Sequence, residues 1–449
     1  MALMFFPRGG SSHVARNIAR FLPQVGWDVT LLSGSLGAAG EASNAETFFA
    51  GADVRAVDYS AALEAPDPLA ADPPFHPSYE DRADAADRVF AAVDDTTYEH
   101  LVGAWERELA AAGAADADLL HLNHLTPINE AAARVCPDVP VVGHLHGTEL
   151  LMLRDIEAGP PAGWAHAAEW ADRLRRWAQR CERLLVLSPD AVERVPGLLG
   201  VEPERVVWAP NGFDPDAFVE RPVRGAERAA LWRSWLVDDP RGWDESARPG
   251  SVGYSADEVE AAFGGGAPVF CYVGRYTEVK RIPLLIRAHA RARELLETPA
   301  PLVLLGGYPG EWEGEHPLAV VRETGAEEVF LAGWRGHDDL PAGLNASDVL
   351  VLPSVHEQFG QVIVEASACG LPSIAVNAHG PATIVRPGET GWLVPPDDED
   401  AMVEAIVEAA SDPERRERLG AAARKDALEH YSWPALVERV ARVYDEVRG

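Results

Sequence analysis

Two carboxylates, Glu357 and Glu365, stand eight positions apart in HEQFGQVIVEASACG, residues 356–370. The run between them opens with an aromatic–Gly pair and then turns apolar, which predicts Glu357 in a loop and Glu365 about two turns into a helix. At ~100° per residue, eight helical positions bring two side chains to within roughly 80° of one another. A carboxylate pair near a helix start suits a polar ligand. The alternative is two solvated surface charges, the usual state of helix glutamates.

Three further groups bear on that choice. VGRYTEVKR, residues 273–281, puts Arg275 and Lys280 after an apolar run. Two cations leaving a strand end suit a diphosphate, because a guanidinium grips oxygens in pairs and an ammonium acts as a compact point charge. Pairing with Glu278 or neighbouring acids is the alternative for either one alone. PRGGSSHVARNIARFL, residues 7–22, follows another apolar run. Gly9 and Gly10 permit a tight turn and close backbone approach, and the helix after them offers free N–H groups to an anion. This is not a G-x-G-x-x-G fingerprint, and a purely structural glycine pair is equally compatible. VVGHLHGTEL, residues 141–150, alternates His144 and His146 with apolar residues, placing both on one strand face with His146 at the strand end. Metal ligation by this pair lacks a suitably spaced carboxylate.

These residues need elements to hold them. Short apolar runs alternate with amphipathic stretches, the βαβα rhythm of a parallel sheet covered by helices. Strands are expected in the first half at 2–6, 27–33, 118–122, 139–145, 183–188 and 205–210, and in the second at 268–274, 301–306, 329–333, 348–354, 372–377 and 391–396. The rhythm runs twice. Between the halves, the Gly-, Pro- and acid-rich stretch 216–267 reads as linker plus insertion, and 65–82 reads as a second irregular insertion. Two doubly wound domains facing each other would leave a cleft at the C-terminal ends of their strands, where such folds bind ligands.

With 449 residues the chain suits two to three domains. Its 39 basic and 71 acidic side chains give a net charge of −32, which disfavours nucleic acid or an anionic bilayer as main partner. The only lysines are Lys280 and Lys425; an Arg- and Ala-rich, acidic chain fits high-GC coding or a saline cytoplasm equally. No apolar run reaches the ~18 residues of a membrane span, and MALMFFPRGG has no basic stretch before its short apolar segment, so neither spanning nor export is expected. Cys136, Cys181, Cys271 and Cys369 are scattered without metal-ligand spacing, so reduced thiols and a cytoplasmic location are expected.

Taken together, the Gly9-Gly10 loop, the strand ending in His146-Gly147, APNGFD (209–214), GRYTEVK (274–280), HEQFGQVIVEASACGLP (356–372) and GPATIVRPGETGWLVPPDD (380–398) resemble the group 1, or family 4, retaining glycosyltransferases. The resemblance covers nearly the whole chain. It implies the GT-B fold: two Rossmann-like domains with a cleft between them. The implied division is an acceptor domain at 1–215, the linker at 216–267, a nucleotide-sugar domain at 268–430, and a C-terminal helix at 431–449 returning to the first domain.

What the resemblance implies for the site is that Glu365 accepts from the nucleotide ribose hydroxyls and Glu357 from hydroxyls of the donor sugar. The amides of Phe359, Gly360 and Gln361 would face the sugar and diphosphate, with Gly9 and Gly10 also at the donor. Arg275 and Lys280 would offset charge on the departing diphosphate, and His146 would face the reacting sugar. The expected partners are a nucleotide sugar and a small-molecule or glycan acceptor, with no cofactor and no metal. An epimerase or sugar phosphorylase on this fold, or a non-catalytic nucleotide-sugar-binding protein, are the other readings.

Two positions depart from the family pattern. Arg281 stands where glycine often follows the lysine, and Thr383 stands where glutamate is common; Thr383 is expected as a helix cap. Arg173, Arg176, Arg180 and Arg183 recur at helical spacing in 164–183, with Asp172 and Glu182 nearby, and read as a solvated basic face.

Overall fold

The computed structural model of the protein describes residues 1–80, 87–298 and 300–449. Two compact units divide the chain: Met1–Asn211 with Trp433–Gly449, and Gly212–Ser432.

The first unit is built on seven parallel strands: β1 (Ala2–Leu3), β2 (Thr30–Ser35), β3 (Asp53–Asp58), β4 (Leu120–Asn123), β5 (Val141–His144), β6 (Arg183–Val186) and β7 (Val206–Trp208). Their order is β3-β2-β1-β4-β5-β6-β7. Helices cover both faces, so successive strand residues enter different cores. Leu184 of β6 packs with Trp170, Leu174 and Trp177. The next residue, Leu185, joins Val142, Ile18 and Phe21 with Trp433, Leu436 and Val440 of the C-terminal helix Trp433–Arg448.

Six of these strands match the apolar runs. β3, sequence DVRAVD, was not among them. It is an edge strand paired only with β2, and most of its side chains are exposed, so it carries no apolar run. The insertion at 65–82 packs its described part into the core: Leu69, Phe75 and Tyr79 are buried there, while its last two residues lie outside the described residues. The arginines of 164–183 are also redistributed. Arg173 is buried, bonds Asp95 and lies 3.8 Å from the ring centre of Tyr98, and Arg183 opens β6. Only Arg176 and Arg180 stay exposed on the helix Ala167–Arg180.

The second unit holds six parallel strands: β8 (Phe270–Gly274), β9 (Leu302–Gly306), β10 (Val329–Gly333), β11 (Val349–Leu352), β12 (Ser373–Val376) and β13 (Gly391–Val394). Their order is β10-β9-β8-β11-β12-β13, and all six lie within the apolar runs. Residues 216–267 contribute the helices Gly225–Arg233 and Ala256–Phe263, the latter opened by a Ser255–Glu258 capping box. Trp232, Leu236, Val259 and Phe263 pack with Val303, Leu305 and Phe330 of the sheet. Buried Arg228 ties this layer down, donating to Asp348 at 2.9 Å and to the carbonyls of Phe263, Gly265 and Ala267. Among the described residues no helix is long and apolar enough to cross a membrane, and all four cysteines are buried thiols.

Candidate active site

In each sheet the strand order reverses at one point, and open parallel sheets bind ligands at the C-terminal ends of the strands flanking such a reversal. In the second unit those strands are β8 and β11. Arg275 follows β8 directly, and Lys280 ends the one-turn helix Glu278–Lys280. Glu357 lies in the loop after β11. Lys280 Nζ bonds Glu357 Oε2 across 77 positions of sequence, and the two side chains are 19% and 21% exposed. The loops are also joined by Val355 N–H to the Val279 carbonyl at 3.0 Å. Arg275 is exposed, and its guanidinium has no ion-pair partner among the described residues.

The helix carrying Glu365 begins at Gln361, not earlier, because Gly360 has left-handed backbone, φ 96°. Glu365 therefore stands just over one turn into the helix, and the helical angle to Glu357 does not apply, since Glu357 precedes the helix. Its carboxylate is buried at 3% exposure. Oε1 accepts from Gln361 Nε2 at 2.9 Å and lies 3.0 Å from His337 Nε2. The Gln361 side chain also donates to the Gly212 carbonyl at 2.8 Å, and the Phe359 side chain is buried against Tyr431. What Phe359, Gly360 and Gln361 leave available is backbone: their N–H groups and that of Val362 find no acceptor among the described residues. Gly380 comes so close that a Cβ there would sit 2.3 Å from the Phe359 carbonyl oxygen, and its N–H donates to the Glu357 carbonyl at 3.0 Å.

Arg281 has φ 52°, the left-handed region that disfavours a side chain, which is the physical reason glycine suits this position. Its guanidinium pairs with Asp397 at 2.6 Å. Thr383 is not a helix cap: it lies inside the helix His379–Ile384, whose N-cap is Ala378, and its hydroxyl donates back to the Gly380 carbonyl at 2.7 Å.

In the first unit the order reverses between β1 and β4. Gly9 caps and Gly10 opens the helix Gly10–Phe21 that follows β1. Neither has positive φ, and a Cβ on either would meet nothing within 4 Å among the described residues. Neither backbone strain nor packing against the described residues requires glycine there. Beside them, β4 and β5 end in Asn123 and His144, and His144 and His146 share a face as the alternation implied, stacked with ring centres 4.5 Å apart. His146 Nε2 lies 3.0 Å from Asn123 Oδ1, and its backbone N–H donates to Glu149 Oε1 at 3.1 Å. Glu149 is fully buried, and its Oε2 is 3.5 Å from His124 Nδ1. Burial, then the neighbouring imidazoles of His124, His144 and His121, hold the His146 pKa well below its usual value. Among the described residues no cluster of three or more His, Cys, Asp or Glu side chains is arranged to hold a metal ion.

Asn123, Glu149 and His337 were not singled out by sequence. Asn123 ends the DLLHLN run, so a polar residue at a strand end was its one visible signal; nothing in the sequence around Glu149 or His337 marks them.

Residues 8–217 match the family described as Glycosyltransferase Family 4, and residues 256–426 match Glycosyl transferases group 1. A D-inositol 3-phosphate glycosyltransferase of Kineococcus radiotolerans is 31% identical over 330 residues, covering 68% of this chain and 66% of the relative. The match spans between 38% and 66% of the lengths of such curated relatives. Sucrose-phosphate synthase from Thermosynechococcus elongatus superposes with a TM-score of 0.67 at 20% identity, over 98% of this chain and 94% of that one. Anabaena HepE, solved in complex with UDP-glucose, gives 0.64 at 18% identity, over 99% and 98%. These solved structures establish the architecture, and the family matches on both halves establish kinship. The chain thus has the GT-B fold and is related to the family 4 glycosyltransferases.

Proposed function

We propose that the protein is a retaining glycosyltransferase that moves a hexose-type sugar from a nucleoside-diphosphate sugar to an acceptor hydroxyl. The observation that carries this is that unlike groups all follow the two strands flanking the switch point: Lys280 and exposed Arg275 after β8, and Glu357, the N–H groups of Phe359 to Val362 that find no acceptor among the described residues, and buried Glu365 after β11, with Lys280 and Glu357 paired. Cations and free N–H groups suit a diphosphate, and carboxylates suit the diols of ribose and sugar. A HepE structure that holds UDP-glucose and a relative named a glycosyltransferase support the donor class.

In this reading Glu365 takes the ribose hydroxyls with the oxygen lying away from Gln361, and Glu357 takes hydroxyls of the transferred sugar. The bond from the anomeric carbon to the diphosphate oxygen breaks while the acceptor oxygen bonds that carbon from the same face. The departing diphosphate oxygen takes the acceptor proton, so the anomeric configuration is retained. Negative charge on the diphosphate rises during this step, and Arg275, Lys280 and the N–H groups stabilise it in the place a divalent cation would otherwise fill. By the family resemblance His146 would meet the transferred sugar, and Gly9 and Gly10, where a Cβ would meet none of the described residues within 4 Å, would admit close approach of the ligand.

The test is thermal stabilisation by UDP-, GDP- and ADP-sugars, where a ligand at 100 times its Kd adds about 2.7 kcal/mol. Product stereochemistry by NMR follows, in excess EDTA and with and without inorganic phosphate. Retained anomeric configuration in EDTA without phosphate is expected. An inverted product, dependence on phosphate, or turnover lost to chelation and restored by manganese or magnesium overturns the corresponding part.

A further inference from the structure

The amide of Asn123 lies between two partners. Its Nδ2 is 3.2 Å from the carbonyl oxygen of Ala2, and its Oδ1 is 3.0 Å from Nε2 of His146. A backbone carbonyl can only accept, so the nitrogen end of the amide faces Ala2 and the oxygen end faces the ring. That oxygen can also only accept, so the proton of the imidazole sits on Nε2. A neutral imidazole carries one N–H, which leaves the lone pair on Nδ1.

The surroundings keep the ring neutral. His144 stacks on it with ring centres 4.5 Å apart and 24° between planes, and His124 lies 4.5 Å away on a tilted plane. His121 stands behind, with its Nε2 3.2 Å from His144 Nδ1 and its Nδ1 bonded to the Tyr444 hydroxyl. Among the described residues, the Glu149 carboxylate meets the backbone N–H of His146 and the ring of His124. No partner for His146 Nδ1 exists among the described residues.

We propose that Asn123 is a positioning residue that locks His146 in the Nε2–H tautomer, so that the ring offers Nδ1 as an acceptor and selects a hydroxyl on the sugar. An oxygen without a proton would meet a lone pair and be rejected. The selection of a sugar hydroxyl rests on the reading that His146 meets the transferred sugar; the tautomer lock does not.

The test uses the full chain with 15N-labelled histidine at pH 8, the His146 signals being assigned with His146→Gln. The wild type should show a protonated Nε2 and an unprotonated Nδ1. Asn123→Asp keeps an acceptor toward Nε2 and should preserve that pattern, whereas Asn123→Leu removes it and should bring the two nitrogen shifts toward averaging. A protonated Nδ1 in the wild type, or no change in Asn123→Leu, overturns the lock, and the wild-type spectrum decides even where a variant folds poorly. With the donor identified, singly deoxygenated donor sugars then test selection. Removing the partnered hydroxyl should cost the wild type roughly 3- to 10-fold in kcat/KM and cost Asn123→Leu nothing further. If every deoxygenated sugar behaves alike in both, hydroxyl selection is overturned while the tautomer stands. If no nucleotide sugar binds, the proposed activity fails and the NMR result still judges the lock.

Discussion

Under the proposed function, replacing Glu357 with alanine should separate binding of the bare nucleoside diphosphate from binding of its sugar. Glu357 Oε2 takes Lys280 Nζ, with both side chains mostly covered. An ammonium has three N–H donors, so the ion pair leaves two for a diphosphate and its removal frees the third. The Glu357 carbonyl still accepts the Gly380 N–H at 3.0 Å in the variant, so the loop keeps this anchor. Affinity for the bare nucleoside diphosphate should therefore be unchanged or up to about tenfold tighter, the freed donor being partly offset by its hydration. In the proposed reading the intact nucleotide sugar would lose the bonds from its hydroxyls to the Glu357 carboxylate, roughly 1.5–3 kcal/mol, on the order of 10- to 150-fold in Kd. Calorimetry with the diphosphate and with its sugar, on wild type and Glu357→Ala at one pH and salt, measures both. Equal weakening of the two ligands would refute the reasoning, because it would mean that Glu357 serves the nucleotide end or acts only by holding Lys280.

Glu365→Ala should weaken the bare diphosphate itself by roughly 10- to 150-fold, since the proposed ribose contact does not need the sugar; unchanged calorimetric affinity would exclude the ribose role. Arg275→Ala and Lys280→Ala should each lower kcat by on the order of 10²-fold or more with a smaller loss of donor affinity, and Arg275→Lys should restore activity only in part. Wild-type kcat with the whole loss in KM would show uniform binding instead. At Arg281, φ 52° predicts that Arg281→Gly is more stable than Arg281→Ala by roughly 0.5–1 kcal/mol in urea unfolding, the ion pair to exposed Asp397 contributing little; equal midpoints would deny the strain. Burial, then the neighbouring His124, lowers the His144 pKa from 6.5 to about 3. Between those values the unfolded chain binds a proton that the folded chain excludes, so stability should fall as pH drops through this window. His144→Phe should flatten that part of the urea-derived profile, and an unaltered slope would assign the loss to other groups.

Local sequence determined the elements, because burial of a parallel sheet on both faces demands continuous apolar runs that can be read without a fold. Twelve strands overlap such runs, and β3 does not, since an exposed edge strand has no such demand. The residue types suited to a diphosphate and to diols were legible in the same way. Which groups meet was decided by tertiary structure. Lys280 reaches Glu357 across 77 positions only because β8 pairs with β11, so that their loops leave one end of the sheet together. His337 beside Glu365 and Asn123 beside His146 follow from neighbouring loops and strands that no periodicity encodes. The left-handed turn at Gly360 set the helix start, leaving Glu365 one turn in instead of two. Arg173, in a helical basic pattern, was drawn into the core by Tyr98, Trp170 and Asp95. Periodicity along a chain records how each segment meets water or core, whereas contacts between segments depend on strand order, which is settled only when the whole sheet is paired.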